Sequence, residues 1–233
     1  MHRWDGSVRQ DQMAVGDLGS VLVCAVADGV GGEDESHLGS AYLARFVTAW
    51  KNLVGLLRGT HEELSCAHLA SGLEREAAGR GLAAHRLSST LSFAVVDKQG
   101  TSAEDGALRW SLALAQIGDS HIYRLRGGRW SNLTAVERDG VGSELASTQV
   151  APLPKHNSAR VWRLSAHPGD VIALTTDGVG LPLDDVPEYA SALSALWETG
   201  RAPSPAELLD VVDGNIKSYD DDRTIVAIRF GLI

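Results

Sequence analysis

Two short apolar runs, each closed by an Asp-Gly pair, constrain the fold of this chain more than any other feature of its sequence. Val21–Ala27 leads directly into Asp28-Gly29, and residues 171–176 lead directly into Asp177-Gly178. Both runs are short and rich in apolar and β-branched residues, which predicts buried strands rather than helices. The sequence therefore predicts two core strands that each end at an aspartate.

The rest of the chain divides into segments with helical or strand periodicity. Apolar residues at three- and four-residue steps predict helices over 36–57, 61–84, 184–199 and 205–219. Shorter apolar or alternating runs predict further strands over 89–96, 110–117, 121–125, 161–164 and 224–230. The strands over 110–117 and 121–125 are predicted to form a hairpin around Gly118-Asp119-Ser120, and a loop is predicted over 135–159.

The order of these elements indicates an α+β fold, which we expect to form one domain over residues 1–233. The order lacks the steady strand–helix alternation of a doubly wound fold. Short turns between consecutive strands favour antiparallel pairing. We therefore expect two stacked, mainly antiparallel sheets flanked by pairs of helices.

Charge and composition limit the possible partners. The chain has 21 Lys and Arg against 30 Asp and Glu, a formal net charge of −9, which disfavours nucleic acid as the main partner. No apolar run reaches the ~18 residues that cross a bilayer, and residues 1–6 lack the apolar core of a signal peptide. We expect a cytoplasmic protein in which Cys24 and Cys66 are buried thiols rather than a disulfide.

Three further aspartates stand beside predicted strand ends: Asp11, Asp119 and Asp221. A lone aspartate in such a place is an ordinary turn residue. Five of them, however, would converge at one edge of the sheets, where their mutual repulsion requires cations. Carboxylate oxygens select Mg²⁺ or Mn²⁺, and a pair of such ions activates water and clamps a phosphoryl group.

In order and spacing these residues resemble the metal-dependent Ser/Thr protein phosphatases of the PPM, or type 2C, family, most closely its small bacterial members. The resemblance rests on residues 27–32 (ADGVGG), 117–123 (IGDSHIY), 133–134 (LT), 169–178 (GDVIALTTDG) and 221–226 (DDRTIV). It covers nearly the whole chain, and it is the ordered set that is specific. The fold it implies is a four-layer α/β/β/α sandwich, in agreement with the element order.

The resemblance also implies a role for each acidic residue. Asp28 should bridge two Mn²⁺ or Mg²⁺ ions, and Asp119 should share a third ion with Asp177, as in bacterial relatives. A water or hydroxide between the first two ions should attack phosphoserine or phosphothreonine directly, without a phospho-enzyme. The full set of implied metal ligands is Asp11, Asp28, the Gly29 carbonyl, Asp119, Asp177 and Asp221.

Two residues of the family pattern are replaced in this chain. The family places a phosphate-binding arginine where this chain has Gly6, so we assign the role to Arg9, with Arg3 as the alternative. Animal members place a histidine, a proposed general acid, where this chain has Val30, as bacterial members have an apolar residue. His37 is a candidate for that role, although a surface histidine at the start of a helix is the favoured interpretation.

Three functions remain to be compared. The resemblance implies an active phosphoprotein phosphatase in signalling, acting as a monomer on substrates of a Ser/Thr kinase. The alternative is a catalytically weak or inactive binding or regulatory module of the same fold. It is motivated by the altered N-terminal motif and by a short flap, where residues 135–137 replace an Asp-His-Ser. A serine esterase centred on Ser120 is disfavoured, because neither His156 nor His167 has an aspartate three residues before it.

Overall fold

The computed structural model describes residues 8–30, 35–103, 106–135, 151–198, 200–214, 219 and 221–231. Some predictions made from the sequence lie outside these residues. They are the alternative arginine Arg3, the replacement at Gly6, the flap beyond residue 135, and residues 215–218 of the last predicted helix.

The strands of the described residues form two antiparallel sheets. The larger sheet contains β1 (Gln12–Asp17), β2 (Val21–Ala27), β3 (Glu63–Ser65), β4 (Leu91–Asp97), β5 (Thr101–Ser102), β6 (Leu108–Ile117) and β9 (Ser158–Ala166). The smaller contains β7 (His121–Arg126), β8 (Arg129–Asn132), β10 (Val171–Thr175) and β11 (Ile225–Arg229). The strand orders are β1-β2-β4-β6-β9-β3, with β5 paired to β6, and β11-β10-β7-β8.

Helices cover the outer face of each sheet. The larger sheet is covered by α1 (Ser36–Thr48) and α2 (Ala67–Gly79), with 3₁₀ helices at Lys51–Leu57 and Ala84–Leu87. The smaller sheet is covered by α3 (Asp177–Asp185), α4 (Pro187–Glu198) and α5 (Pro205–Val212). These layers confirm the predicted α+β fold with helices outside two stacked antiparallel sheets.

The core follows from the alternation of side chains along the strands. In β2, Val23 and Ala25 face the helix layer, whereas Cys24 and Val26 face the smaller sheet. Both faces of this strand are therefore buried, which explains its unbroken apolar sequence. Each large side chain buried in this way contributes roughly 2 kcal/mol through removal of apolar surface from water.

The thiol and membrane-span expectations can also be compared with the structure. Cys24 and Cys66 are both buried and both free, which confirms the prediction of buried thiols. Among the described residues, no helix combines the length and the apolar character that a membrane span requires.

The predicted hairpin between β6 and β7 is wrong, because the two strands belong to different sheets. The turn between them carries the chain across the sandwich. Gly118 adopts a left-handed φ of +94°, and a Cβ atom there would lie 2.6 Å from the side chain of Thr90. The Ser120 carbonyl then accepts hydrogen bonds from Ser92 Oγ (2.7 Å) and Gln116 Nε2 (2.9 Å), which fix the crossing point.

The two long helices predicted in the first half of the chain are also wrong in extent. α1 ends at Thr48, because Trp50 takes an extended conformation (φ −81°, ψ 96°) and its ring packs 3.9 Å from that of His68. The segment predicted as helix over 61–84 begins instead as β3, and the helix starts only at Ala67. Leu64 packs against the core from that strand, at a spacing that also fits a helical face.

The helix α3 was not predicted, because its sequence contains residues that disfavour helices. Gly178 and Gly180 have low helix propensity, and Pro182 lies inside the helix. Gly178 is nevertheless required, since a Cβ atom there would lie 2.0 Å from the carbonyl oxygen of Asp222. By contrast, α5 starts where predicted, at Pro205, after a Ser204 cap whose hydroxyl accepts from the Glu207 N–H.

Replacement of Gly39 by alanine should destabilise the protein although alanine is the better helix former. A Cβ atom on this α1 residue would lie 2.0 Å from the carbonyl oxygen of Leu87, a backbone atom that precedes β4. We expect G39A to lose about 2 kcal/mol of unfolding free energy in a urea titration, as for other overpacked sites. The matched control is G79A, where no atom lies within 4 Å of the added methyl group. The prediction is contradicted if both variants gain stability.

Candidate functional site

The ends of strands from both sheets bring the five aspartates into one electrostatic cluster. The charges of Asp11, Asp177 and Asp221 all act on Asp28 at the end of β2. Asp177, which follows β10, is in turn affected by Asp221, Asp119 and Asp11. These interactions link all five aspartates that the sequence analysis singled out.

Asp28 stands at the centre of this cluster. Its backbone is fixed to β4, since its N–H donates to Thr90 Oγ1 (3.1 Å) and its carbonyl accepts from the Thr90 N–H (2.9 Å). Burial raises the pKa of its carboxyl group far above the usual range, and the charges of Asp11 and Asp177 raise it further. A direct hydrogen bond between the Asp11 and Asp28 side chains contributes in the same direction. Among the described residues, no ion pair compensates the charge of Asp28.

Asp11 is buried, with 7% of its surface exposed, and its side chain accepts a hydrogen bond from a threonine hydroxyl group. Thr176 Oγ1 donates to Asp11 Oδ2 at 2.6 Å and accepts from the Thr224 N–H at 3.1 Å. Burial raises the pKa of the Asp11 carboxyl above its usual range, and the Thr176 hydrogen bond partly opposes that shift. The sequence analysis missed Thr176, whose signal is a hydroxyl residue directly before Asp177.

The backbone of Gln10 anchors the segment that carries Asp11. Its N–H donates to Asp222 Oδ2 at 2.7 Å. Its carbonyl accepts from Ser40 Oγ (2.5 Å) and from the Gly29 N–H (3.2 Å). Asp222 and Ser40 were also missed from the sequence, because their contacts join segments that are far apart along the chain.

Asp177 is the first residue of α3, where the exposed N–H groups of a helix start favour a negative charge. Burial nevertheless raises the pKa of its carboxyl group to about 6, and the neighbouring Asp221 and Asp119 add to this effect. Its Oδ1 atom is buried and has no hydrogen-bond partner among the described residues. A buried carboxylate oxygen of this kind is a free ligand position.

Three of the predicted ligand residues lie around these buried carboxylates. Asp119 and Asp221 are exposed at the rim of the cluster. Gly29 is buried, and a Cβ atom there would lie 2.8 Å from Ser36 Oγ, so the chain needs glycine at this point. No described group donates a hydrogen bond to the Gly29 carbonyl, which leaves that oxygen available.

The donor set fits a hard divalent cation, although the side chains are not closed around one. Within the part of the chain that the structure describes, no three His, Cys, Asp or Glu side chains are grouped closely enough to hold a metal ion. The buried carboxyl groups of Asp11, Asp28 and Asp177 instead have raised pKa values. Since opposed carboxylates repel one another, a multivalent cation is what would draw them together.

The remaining candidates lie outside this cluster of contacts. Arg9 is exposed and forms no hydrogen bond or ion pair with any described residue. His37 is half-buried in the first turn of α1. Ser120 is buried, and its Oγ lies 2.6 Å from Thr90 Oγ1, so it is not presented as an esterase nucleophile.

Comparison with known proteins gives one family. The family model described as protein phosphatase 2C matches residues 1–213. A comparison with curated protein sequences finds no match. The family match covers every aspartate of the cluster except Asp221.

Solved structures with the same fold include three from bacteria. PppA, described as a key regulatory component of T6SS in Pseudomonas aeruginosa, is 21% identical with a TM-score of 0.55, over 95% of this chain and 91% of that chain. The serine/threonine phosphatase of S. agalactiae is 16% identical with a TM-score of 0.61, over 95% and 92%. A Bacillus subtilis SpoIIE fragment that contains the PP2C phosphatase domain is 18% identical with a TM-score of 0.54, over 95% and 58%.

Neutralising Asp177 should stabilise the protein when divalent cations are removed. The pKa of this group is about 6 in the folded protein, whereas in the unfolded chain it lies near its ordinary value of 3.8. Metal-free stability therefore falls as pH rises through this interval and stays low above it. In EDTA at pH 7.5 we expect the free energy of unfolding of D177N to be about 1–2 kcal/mol higher than that of wild type, after allowance for solvent screening of a half-buried group.

This difference is measured by urea unfolding at pH 7.5 and at pH 4. The advantage of D177N should shrink at pH 4, because the wild-type carboxyl group is then protonated in the folded state. The control is D210N, which removes an exposed carboxylate from α5. A D177N variant that is less stable than wild type at pH 7.5 in EDTA would contradict the electrostatic account.

Proposed function

Because the chain belongs to the protein phosphatase 2C family, we propose that it hydrolyses phosphoserine and phosphothreonine in proteins with the help of Mn²⁺ or Mg²⁺. The observation that carries the proposal is that Asp11, Asp28 and Asp177, whose pKa values are all raised by burial, lie within electrostatic reach of one another, since the charge of Asp11 acts on both Asp28 and Asp177. Members of this family generally use these two cations. Buried carboxylates without cationic partners are the donors that such cations require.

Each residue of the cluster has a place in this proposal. Asp28 would contact two cations, because its carboxyl group interacts with Asp11 as well as with Asp177 and Asp221. The Gly29 carbonyl would bind the same cation as Asp11. The exposed Asp119 would join Asp177 at a third cation, as its charge acts on that residue.

The cations supply Lewis acidity, which activates a water molecule and neutralises charge on the phosphoryl group. The chain itself fixes the carboxylates on strand ends and hydroxyl contacts, so that little reorganisation accompanies the reaction. Arg9 is two residues before Asp11 and exposed, and we assign it to the phosphate dianion, which a guanidinium binds in a bidentate manner.

The substrates of this reaction would be phosphoproteins that a Ser/Thr kinase produces, and we propose a cytoplasmic monomer. Structural neighbours support a regulatory setting, since one is described as a key regulatory component of T6SS and another as a serine/threonine phosphatase. These neighbours show the fold of this chain. The phosphoprotein substrates are proposed from the family and from the site chemistry.

Loss of the central carboxylate should abolish turnover without unfolding the protein. With Mn²⁺ present, we expect D28N to hydrolyse a phosphothreonine peptide and an aryl phosphate at least ~100-fold more slowly than wild type, since even outer partners of metal ligands are worth 10–100-fold. EDTA should produce the same loss in wild type. The matched control D210N should keep full activity, and circular dichroism checks that each variant is folded.

The alternative is a phosphatase-fold module that binds partners without turnover. It would be favoured if folded wild-type protein showed no Mn²⁺-dependent hydrolysis of either substrate. Activity that persists in EDTA or in D28N would contradict the proposed metal-dependent reaction.

Removal of Arg9 should weaken substrate binding more than it slows the chemical step. Loss of one charge-assisted contact to phosphate costs roughly 1.5–3 kcal/mol, so we expect R9A to raise KM by about tenfold or more for the phosphopeptide. R9K should recover part of this loss. R45A, which removes an exposed arginine from α1, should leave KM unchanged. An unchanged KM in R9A would show that another group binds the phosphate.

A further inference from the structure

The hydroxyl group of Thr176 lies between two segments that the smaller sheet brings together. Thr176 is fully buried, at 0% exposed, directly between β10 and α3. Its Oγ1 accepts from the Thr224 N–H at 3.1 Å and donates to Asp11 Oδ2 at 2.6 Å. It therefore connects the residue before β11 to the carboxylate that precedes β1.

Thr176 Oγ1 accepts one hydrogen bond and donates another. A backbone N–H can only donate, so Thr224 occupies an acceptor site on Thr176 Oγ1. Thr176 Oγ1 donates its proton to Asp11 Oδ2, and this bond holds the carboxyl group in one orientation.

A second contact from the same C-terminal segment holds the backbone beside Asp11. Asp222 Oδ2 accepts from the Gln10 N–H at 2.7 Å, while Ser40 and Gly29 donate to the Gln10 carbonyl. Asp222 is thus engaged with the N-terminal segment, whereas the neighbouring Asp221 acts on Asp28 and Asp177. The two adjacent aspartates have different contacts.

We propose that Thr176 and Asp222 are positioning residues that hold Asp11, in side chain and in backbone, in the orientation that a divalent cation needs. This inference rests on the proposed function, because it assigns Asp11 to a cation. Neither residue contacts the substrate or the cation in this scheme. Both act by way of Asp11, as second partners of metal ligands generally do.

The test is Mn²⁺ binding to the whole chain, measured by isothermal titration calorimetry without substrate. We expect T176V, which keeps the shape but loses the hydroxyl, to weaken Mn²⁺ binding by about tenfold or more, and T176S to restore it to within about threefold. D222A should weaken binding in the same way. D222N should not, because its amide oxygen still accepts from the Gln10 N–H.

Two controls separate positioning from general destabilisation. T48V removes another buried hydroxyl, which donates to the Ala44 carbonyl at 3.0 Å within α1, and should lower the melting temperature without changing Mn²⁺ affinity. Hydrogen exchange of the metal-free protein gives a readout that needs no cation. The Thr224 amide should exchange faster in T176V, and the Gln10 amide should exchange faster in D222A.

The outcomes are distinct. Wild-type Mn²⁺ affinity in T176V, with the Thr224 amide exposed to exchange, would overturn the role of Thr176 and leave the proposed function intact. If T176V does not fold, the D222A and D222N pair decides, and equal affinity in both overturns the inference. Failure of wild-type protein to bind Mn²⁺ would overturn the proposed function and this inference together.

Discussion

The repulsion among buried carboxylates is the interaction on which the rest of this molecule depends. Asp11, Asp28 and Asp177 lie at strand ends of two different sheets. Burial raises the pKa of all three, and the charge of Asp11 raises the pKa of Asp28 and of Asp177 further. A folded protein tolerates such a cluster only where the surrounding structure is stable enough to hold it. Here the interior between the sheets provides that stability, through apolar residues of β2, β4, β6 and β10.

Two chain crossings make the cluster possible. The chain passes from the larger to the smaller sheet at Gly118, whose left-handed φ no larger residue adopts easily. It passes again between β9 and β10, where Gly169 also has a left-handed φ. Gly118 lies at the end of the sandwich that carries the aspartates, and Gly169 lies at the opposite end, so that β10 runs back toward Asp119 and ends beside it at Asp177. The predicted hairpin would have kept Asp119 within one sheet.

The sequence was informative wherever a signal was local. An aspartate directly after a buried strand was recognised in Asp28 and Asp177, and the layered α+β fold followed from the order of the elements. The helix α3 was missed because its glycines serve contacts with distant residues, Gly178 with the carbonyl of Asp222 and Gly180 with His121, and not the helix itself. The hydroxyl of Thr176 was missed for the same reason, since its partners Asp11 and Thr224 are 165 and 48 residues away. The role of Arg9 stays a prediction, as no described contact of its side chain tests it.

The distance along the chain between these partners also bears on the order of synthesis. The hydrogen bond from the Gln10 N–H to Asp222 joins residues 212 positions apart. The Thr224 N–H donates to Thr176 Oγ1, which in turn donates to Asp11. A chain still emerging from the ribosome would lack both contacts until almost all of the residues described here had been made. The proposed cation site would therefore remain incomplete until β11 has docked beside β10.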